Sequence, residues 1–297
     1  MPQKKFLGTG VALVTPFRKD GSIDFKALEK LVNHVIDGGV NYLVVLGTTS
    51  EAATMQSEEK AAVVSQIVEI NNRRVPIVVG FGGNNTQVVV DQIQECKFKG
   101  IDGILSVTPY YNKPNQKGLY AHFKAVAAAC PVPVILYNVP SRTGVNMTAE
   151  TTLKLAHDVE NILAIKEASG NFAQAMAIIK DKPDNFSVIS GEDGLTFPFI
   201  TLGMSGVISV AANAFPFEMS EMVNFALKDK IKPAKEIHYR IIEMIDLLFA
   251  EGNPAGVKAA LSTLGIIENN LRLPLVPVSK ITHSSIVKTI DTIKASR

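Results

Sequence analysis

The chain is poor in cysteine, carries no excess of charge of either sign and contains no long apolar run, and each shortage removes a class of function. Its two cysteines, Cys96 and Cys130, close helical-looking segments without paired spacing. They cannot build a metal cage, and so few thiols suit a reducing compartment, so a cytoplasmic location is expected. Both are read as small buried or half-buried side chains. Thirty basic residues against 28 acidic ones leave a formal charge of +2. No Lys/Arg block supplies the phosphate-neutralising stripe that nucleic-acid binding requires. No uninterrupted apolar run of about 18 residues occurs, so no membrane span is expected. Lys4 and Lys5 precede a largely apolar stretch, but Gly8, Thr9, Gly10 and Thr15-Pro16 interrupt it, and it reads as a first strand rather than a signal peptide. Proline and glycine are used at ordinary rates, which excludes collagen and disorder. What remains is 297 residues, 46% of them hydrophobic, enough for one large domain with a small appendage.

The pass along the chain finds short β-branched runs, each followed by a helical pattern. The expected strands are Val11–Phe17, Tyr42–Gly47, Pro76–Gly80, Gly103–Thr108, Pro133–Val139, Ile162–Ala168, Phe186–Ser190 and Val207–Ala212. Helices follow at Phe25–Asp37, Glu58–Asn71 (with Ser57 as its cap), Thr86–Lys99, Gly118–Ala129, Ala149–His157, Phe172–Lys180, Leu195–Leu202 and Phe217–Leu227. Eight strand–helix units in about 225 residues predict a closed α/β barrel, the (β/α)8 or TIM barrel. Strands apolar on nearly every residue suit a parallel sheet buried on both faces. A doubly wound sheet would need a glycine-rich first turn and an acidic ribose partner, and neither is seen. After residue 228 the strand signal stops. Ala234–Ala250, Gly256–Leu264 and Ser279–Ala295 form a C-terminal helical appendix, so the division is a barrel over 1–228 and a helical segment over 229–297.

A barrel of this kind carries its chemistry where the strands end. Those positions hold Gly47-Thr48-Thr49-Ser50-Glu51, Thr108-Pro109-Tyr110-Tyr111-Asn112, Tyr137-Asn138-Val139-Pro140-Ser141-Arg142, Lys166-Glu167-Ala168 and Ser190-Gly191-Glu192-Asp193. Lys166 is the sharpest feature. Alternation puts it on one strand face with Ala164 and Ala168, small neighbours that leave room for a ligand, and this face is assigned to the lumen. The competing reading is a lysine paired with a carboxylate inside the core. An ordinary amine is neutral in only about one molecule in 2,500 at pH 7. Removal from water lowers that barrier and frees the lone pair for attack on a carbonyl. The resulting protonated imine is an electron sink, so no metal and no organic cofactor are expected. The five histidines, His34, His122, His157, His238 and His283, fall on helices or in the C-terminal tail and not at strand ends. Proton transfer then rests on Tyr137, Tyr111, Thr48 and Thr49, while the Arg142 guanidinium can clamp a carboxylate.

Together these strand-end motifs, with Gly206-Val207-Ile208-Ser209-Val210 and Leu271-Arg272-Leu273-Pro274, resemble the pyruvate-dependent class I aldolases and, within them, the dihydrodipicolinate synthase family. The resemblance spans essentially the whole chain. It implies that Lys166 forms an imine with pyruvate and that the enamine attacks L-aspartate 4-semialdehyde, with cyclisation to 4-hydroxy-tetrahydrodipicolinate on the route to diaminopimelate and L-lysine. It assigns proton transfer to Tyr137, relayed by Thr49 and Tyr111. It assigns pyruvate binding to Thr48, Thr49 and the backbone at Ile208 and the carboxylate of the semialdehyde to Arg142, with Gly191 a further substrate-binding candidate. Tyr111 would reach a neighbouring subunit's site, which implies a homotetramer built from two tight dimers. Candidate allosteric positions are Ala53, Lys60, Asn84 and Tyr110.

Three departures from the family pattern stand out. Ser50 occupies a turn position that is more often glycine, and is tolerated only if its φ is negative. The segment Asn253-Pro254-Ala255-Gly256-Val257-Lys258 is close to the family's usual one without matching it. Lysine-sensitive members cradle the inhibitor with a histidine and a glutamate where this chain has Lys60 and Val88, so weak or absent inhibition by L-lysine is expected. Two rival readings remain open. One is a sister activity on the same scaffold, an N-acetylneuraminate lyase or a 2-keto-3-deoxy sugar-acid aldolase, which the Ser141-Arg142-Thr143-Gly144 loop disfavours. The other is a non-catalytic keto-acid binder, which would be expected to lack Lys166 or Tyr137.

Overall fold

A computed structural model describes residues 6–295 of the chain; Lys4 and Lys5, considered above as part of a leader, lie outside the described residues. Eight parallel strands close on themselves in sequential order: β1 Gly8–Ala12, β2 Tyr42–Val45, β3 Ile77–Phe81, β4 Gly103–Val107, β5 Val134–Asn138, β6 Ile162–Glu167, β7 Ser187–Ser190 and β8 Gly206–Ser209. Closure is made by β1 against β8, with Gly8 opposite Gly206 and Gly10 opposite Ile208. The helices between strands are α1 Phe25–Asp37, α2 Ser57–Asn71, α3 Thr86–Glu95, α4 Gln116–Ala129, α5 Pro140–Thr143, α6 Ala149–Asp158, α7 Phe172–Asp181, α8 Thr196–Thr201 and α9 Pro216–Ala226. The expected (β/α)8 barrel is therefore the observed one.

Residue alternation sorts the core into two layers. Tyr42, Val44, Val78, Leu105, Ile135, Tyr137, Ala164, Ile189 and Ile208 face inward and form one buried cluster. The intervening residues, such as Leu43, Val79, Leu136 and Ile165, pack outward against the helices. Both sets are apolar because a parallel sheet wrapped in helices exposes neither face. Phe6 and Tyr42 meet edge to face with ring centroids 5.7 Å apart in the lumen cluster.

The first strand begins earlier and ends earlier than Val11–Phe17. Gly8 and Gly10 looked like breaks in the sequence, but they leave room for Asn41 and Tyr42 at the start of β2. Gly8 has φ +90°, and a β-carbon on Gly10 would lie 2.2 Å from the Tyr42 ring. Beyond Ala12 the Leu13 N–H still donates to the Val44 carbonyl at 3.0 Å, but the chain then runs buried through Thr15 outside the strand, and Phe17 makes only an antiparallel bridge to Ile23. The cap of α2 is Gln56 rather than Ser57; the Glu59 carboxylate accepts the Gln56 backbone N–H at 3.0 Å. Other helices start at side-chain caps that follow strand ends: Asp24, Asn85, Asn115, Thr148 and Asn171. The third helix stops at Glu95, short of Lys99, and the short α5 begins at Pro140, whose fixed φ suits a first helical position.

The chain then continues as α10 Ile231–Phe249, α11 Ala255–Thr263 and α12 Lys280–Ala295. Ile241, Met244, Leu248, Val257, Leu261 and Ile290 share one buried cluster with Leu28, Val32, Val223 and other barrel-helix residues, so this segment and the barrel have a common core.

Candidate active site

The register of β5 against β6 sets Tyr137 directly opposite Lys166. Both side chains point into the lumen at its C-terminal mouth, and the lysine Nζ lies 4.5 Å from the tyrosine ring centroid. Lys166 is 5% exposed and Tyr137 7%. The competing core-pair reading of Lys166 does not hold. Its neighbour Glu167 points the other way, where its carboxylate accepts from Asn138 Nδ2 and Gln174 Nε2 at 3.0 Å and from the Ser169 N–H at 2.8 Å. Among the described residues Lys166 makes no ion pair. A sheltered amine beside a phenol is the arrangement that attack on a carbonyl needs.

These groups open onto a cavity of about 170 Å³, whose wall includes Thr48, Thr49, Tyr137, Arg142, Lys166 and Gly191. Thr49 is buried and its Oγ1 accepts from Asn253 Nδ2 at 2.9 Å. Thr48 is exposed at the rim and Arg142 reaches the cavity from α5. Gly191 is required sterically: a β-carbon there would come within 2.5 Å of the Ala168 β-carbon and 3.0 Å of Lys166 Cε. Ile208 packs in the lumen cluster, and it is Val210 that lines the cavity from this strand end.

The turn bearing Thr48 and Thr49 resolves the Ser50 departure. Ser50 is not among the positive-φ residues; Glu51 takes the left-handed conformation, with φ 59°. Ser50 instead donates from its hydroxyl to the Gly47 carbonyl at 2.7 Å. Glu51 then turns inward to meet Lys258 of α11 at 2.5 Å, both side chains wholly buried, while its other oxygen accepts the Arg272 backbone N–H at 2.9 Å. Burial pulls the Lys258 amine down to about 8 against the opposing pull of Glu51. The same corner holds Phe17 between two cations, Lys258 Nζ at 4.3 Å and the Arg272 guanidinium at 4.4 Å from its centroid.

Tyr111 lies outside its own chain's cavity. It is 86% exposed on a left-handed backbone, φ 71°, a conformation that costs about 1–3 kcal/mol and clusters at functional loops. The loop is tied to Asn84, whose carbonyl accepts from Asn112 Nδ2 at 2.9 Å, so Asn84 and Tyr110 belong to one surface. Ala53 is exposed in the turn before α2, and Lys60 is half-buried in that helix.

A model of the dihydrodipicolinate synthetase family matches residues 5–293. The chain belongs to that family. A protein of Parabacteroides distasonis described as 4-hydroxy-tetrahydrodipicolinate synthase is 55% identical over 279 residues, 94% of each chain. Among solved structures, dihydrodipicolinate synthase from Aquifex aeolicus is 41% identical, with a TM-score of 0.94 over 97% of this chain and 98% of the other. The chloride-inhibited enzyme from Acinetobacter baumannii complexed with pyruvate is likewise 41% identical, with a TM-score of 0.94 over 97% and 99%. As a dihydrodipicolinate synthetase family member the protein is an enzyme, and the family resemblance read from its strand ends is correct.

Burial shifts other titratable groups of this family member. Burial raises the Tyr42 phenol far above its ordinary value and pulls His122 down to about 4, with its Nδ1 2.9 Å from Thr86 Oγ1. Among the described residues no three His, Cys, Asp or Glu side chains gather as a metal site, and no helix is long and apolar enough to cross a membrane. Among the cavity residues that sequence reasoning missed are Glu192 and Asn253. Glu192 was visible at a strand end but had no assigned role. Asn253 stood out only as part of a segment departing from the family pattern, because nothing local signals that the turn between α10 and α11 returns to the barrel mouth.

Proposed function

We propose that this chain condenses pyruvate with L-aspartate 4-semialdehyde to 4-hydroxy-tetrahydrodipicolinate through an imine on Lys166. The observation that carries this reading is the buried Lys166 amine, which makes no ion pair among the described residues and lies 4.5 Å from the Tyr137 ring at the mouth of the barrel. Lys166 Nζ attacks the keto carbon of pyruvate, the carbinolamine loses water and a protonated imine forms. Loss of a methyl proton then gives the enamine, with the positive nitrogen as the electron sink, so the chemistry needs neither a metal nor an organic cofactor. The enamine carbon attacks the aldehyde, whose oxygen takes up a proton. The substrate's own amine displaces Lys166 from the imine carbon and closes the ring. One water leaves overall. Tyr137 is placed to move protons to and from the carbinolamine, with Thr49 and a partner subunit's Tyr111 as the relay, and Arg142 holds the semialdehyde carboxylate. Pyruvate sits against Thr48, Thr49, Gly191 and the end of the strand bearing Ile208. The exposed, strained Tyr111 supports a tight dimer, paired into a tetramer. A cytoplasmic location fits the two unpaired thiols.

Borohydride trapping tests the mechanism. Incubation with pyruvate and reductant is expected to add the mass of one reduced adduct at Lys166, and Lys166→Ala is expected to abolish both adduct and turnover while keeping the native melting transition. A turning-over Lys166→Ala enzyme refutes the imine route. Turnover with a sugar aldehyde in preference to the amino aldehyde refutes the substrate.

A further inference from the structure

Among the polar groups of the cavity wall that the imine chemistry does not use are Glu192 and Asn253. Glu192 follows β7 and is half-buried beside Gly191; its carboxylate makes no ion pair and no side-chain hydrogen bond among the described residues. Asn253 is 8% exposed, and its amide is divided: Nδ2 donates to Thr49, while Oδ1 is buried with no hydrogen-bond partner among the described residues. A buried carbonyl oxygen left without a donor is costly, and the cost vanishes when a ligand supplies the donor. Arg142, a second cation on the same wall as Lys166, also has no carboxylate partner among the described residues. Burial raises the Glu192 carboxyl, reinforced by Asp193 and opposed by Lys166 and Arg142, so this carboxyl lies within the field of both cations. An unpaired guanidinium and an unpaired carboxylate on one small cavity are the electrostatic complement of a zwitterion.

We infer that Glu192 and Asn253 Oδ1 form the acceptor subsite for the ammonium group of an α-amino aldehyde, opposite the carboxylate clamp at Arg142. This rests on the proposed condensation and assigns its specificity: the two acceptors favour an amino-acid-derived aldehyde over a sugar aldehyde, whose hydroxyl lacks the positive charge. Sugar-acid aldolase activity on this scaffold is thereby disfavoured at a named pair of atoms. The Asn253 amide reaches the site only because the turn between α10 and α11 docks on the barrel, so the C-terminal segment contributes directly to substrate choice.

The test compares L-aspartate 4-semialdehyde with succinate semialdehyde, which has the same carbon chain without the ammonium, at saturating pyruvate on the full-length enzyme. Glu192→Gln is expected to lower kcat/KM for the amino aldehyde at least about tenfold, as loss of a charge-assisted hydrogen bond predicts. The inhibition constant of succinate semialdehyde is expected to move less than twofold, and the borohydride-trapped pyruvate adduct is expected to form as in wild type. Asn253→Ala gives a second, independent arm with the same discrimination on binding of the two aldehydes. Equal weakening of both aldehydes in both variants assigns these residues a structural role and overturns the inference, as does an unchanged kcat/KM. If wild-type enzyme traps pyruvate but does not turn over the amino aldehyde, the proposed function itself fails, an outcome separate from any variant's.

Discussion

At the scale of single residues the site depends on space as much as on functional groups. Lys166 occupies a lumen position that alternation assigned to it, but its side chain reaches the cavity only because Gly191 and Ala168 stand beside it. Gly191→Ala is therefore expected to slow pyruvate imine formation by at least about tenfold, since an added β-carbon 3.0 Å from Lys166 Cε forces the amine out of line and small misplacements of a reacting group are costly. The rate of borohydride-trapped adduct formation measures it, and a wild-type rate contradicts the steric argument. Lys166, Tyr137 and Arg142 were legible from residue type and strand-end position. Asn253 was not, because a lone Asn-Pro reads as a turn and its partner Thr49 is remote in the chain.

Between elements, the turn after β2 and the first turn of α2 are braced by the C-terminal segment through two ion pairs of different character. Glu51–Lys258 is wholly buried, whereas Arg272 Nη1 meets Glu59 Oε2 at 2.8 Å where both side chains remain partly in solvent. The Arg272 hydrogen bond holds the Glu59 carboxyl down to about 2, against an ordinary 4.5. A depressed carboxyl contributes its full stability above the unfolded-state value and loses it as pH falls from about 4.5 to about 2. With solvent screening the contribution is about 1–2 kcal/mol. Urea midpoints measured between pH 5 and pH 2 are expected to fall less steeply for Glu59→Gln than for wild type; parallel slopes contradict the pairing. None of this was visible in the sequence, where Glu59 was only a residue of the expected second helix and Arg272 only part of a motif.

Over the whole molecule, the surface formed by Asn84 and the Tyr110–Asn112 loop is where regulation and assembly are expected to meet. Tyr110 and Val88 are both exposed, and Lys60 is a cation where a lysine-sensitive site needs a weakly basic ring. A second cation does not attract the ammonium of free lysine, and Val88 offers it no acceptor. L-lysine is therefore expected to inhibit only at millimolar concentration or above in a steady-state assay, and half-maximal inhibition in the sub-millimolar range contradicts the reading.

The chain's rhythm of eight apolar runs and eight amphipathic helices was sufficient by itself to determine the barrel, the sense of each strand and the inward face of β6. Those properties follow from local periodicity and from the burial of both faces of a parallel sheet. Strand limits near Gly8 and Gly10, the left-handed Glu51, the buried Glu51–Lys258 pair and the arrival of Asn253 at the cavity were decided only by the tertiary structure. Each depends on a contact between segments far apart in sequence, where the identity of the neighbour, and not the residue's own preference, sets the energy.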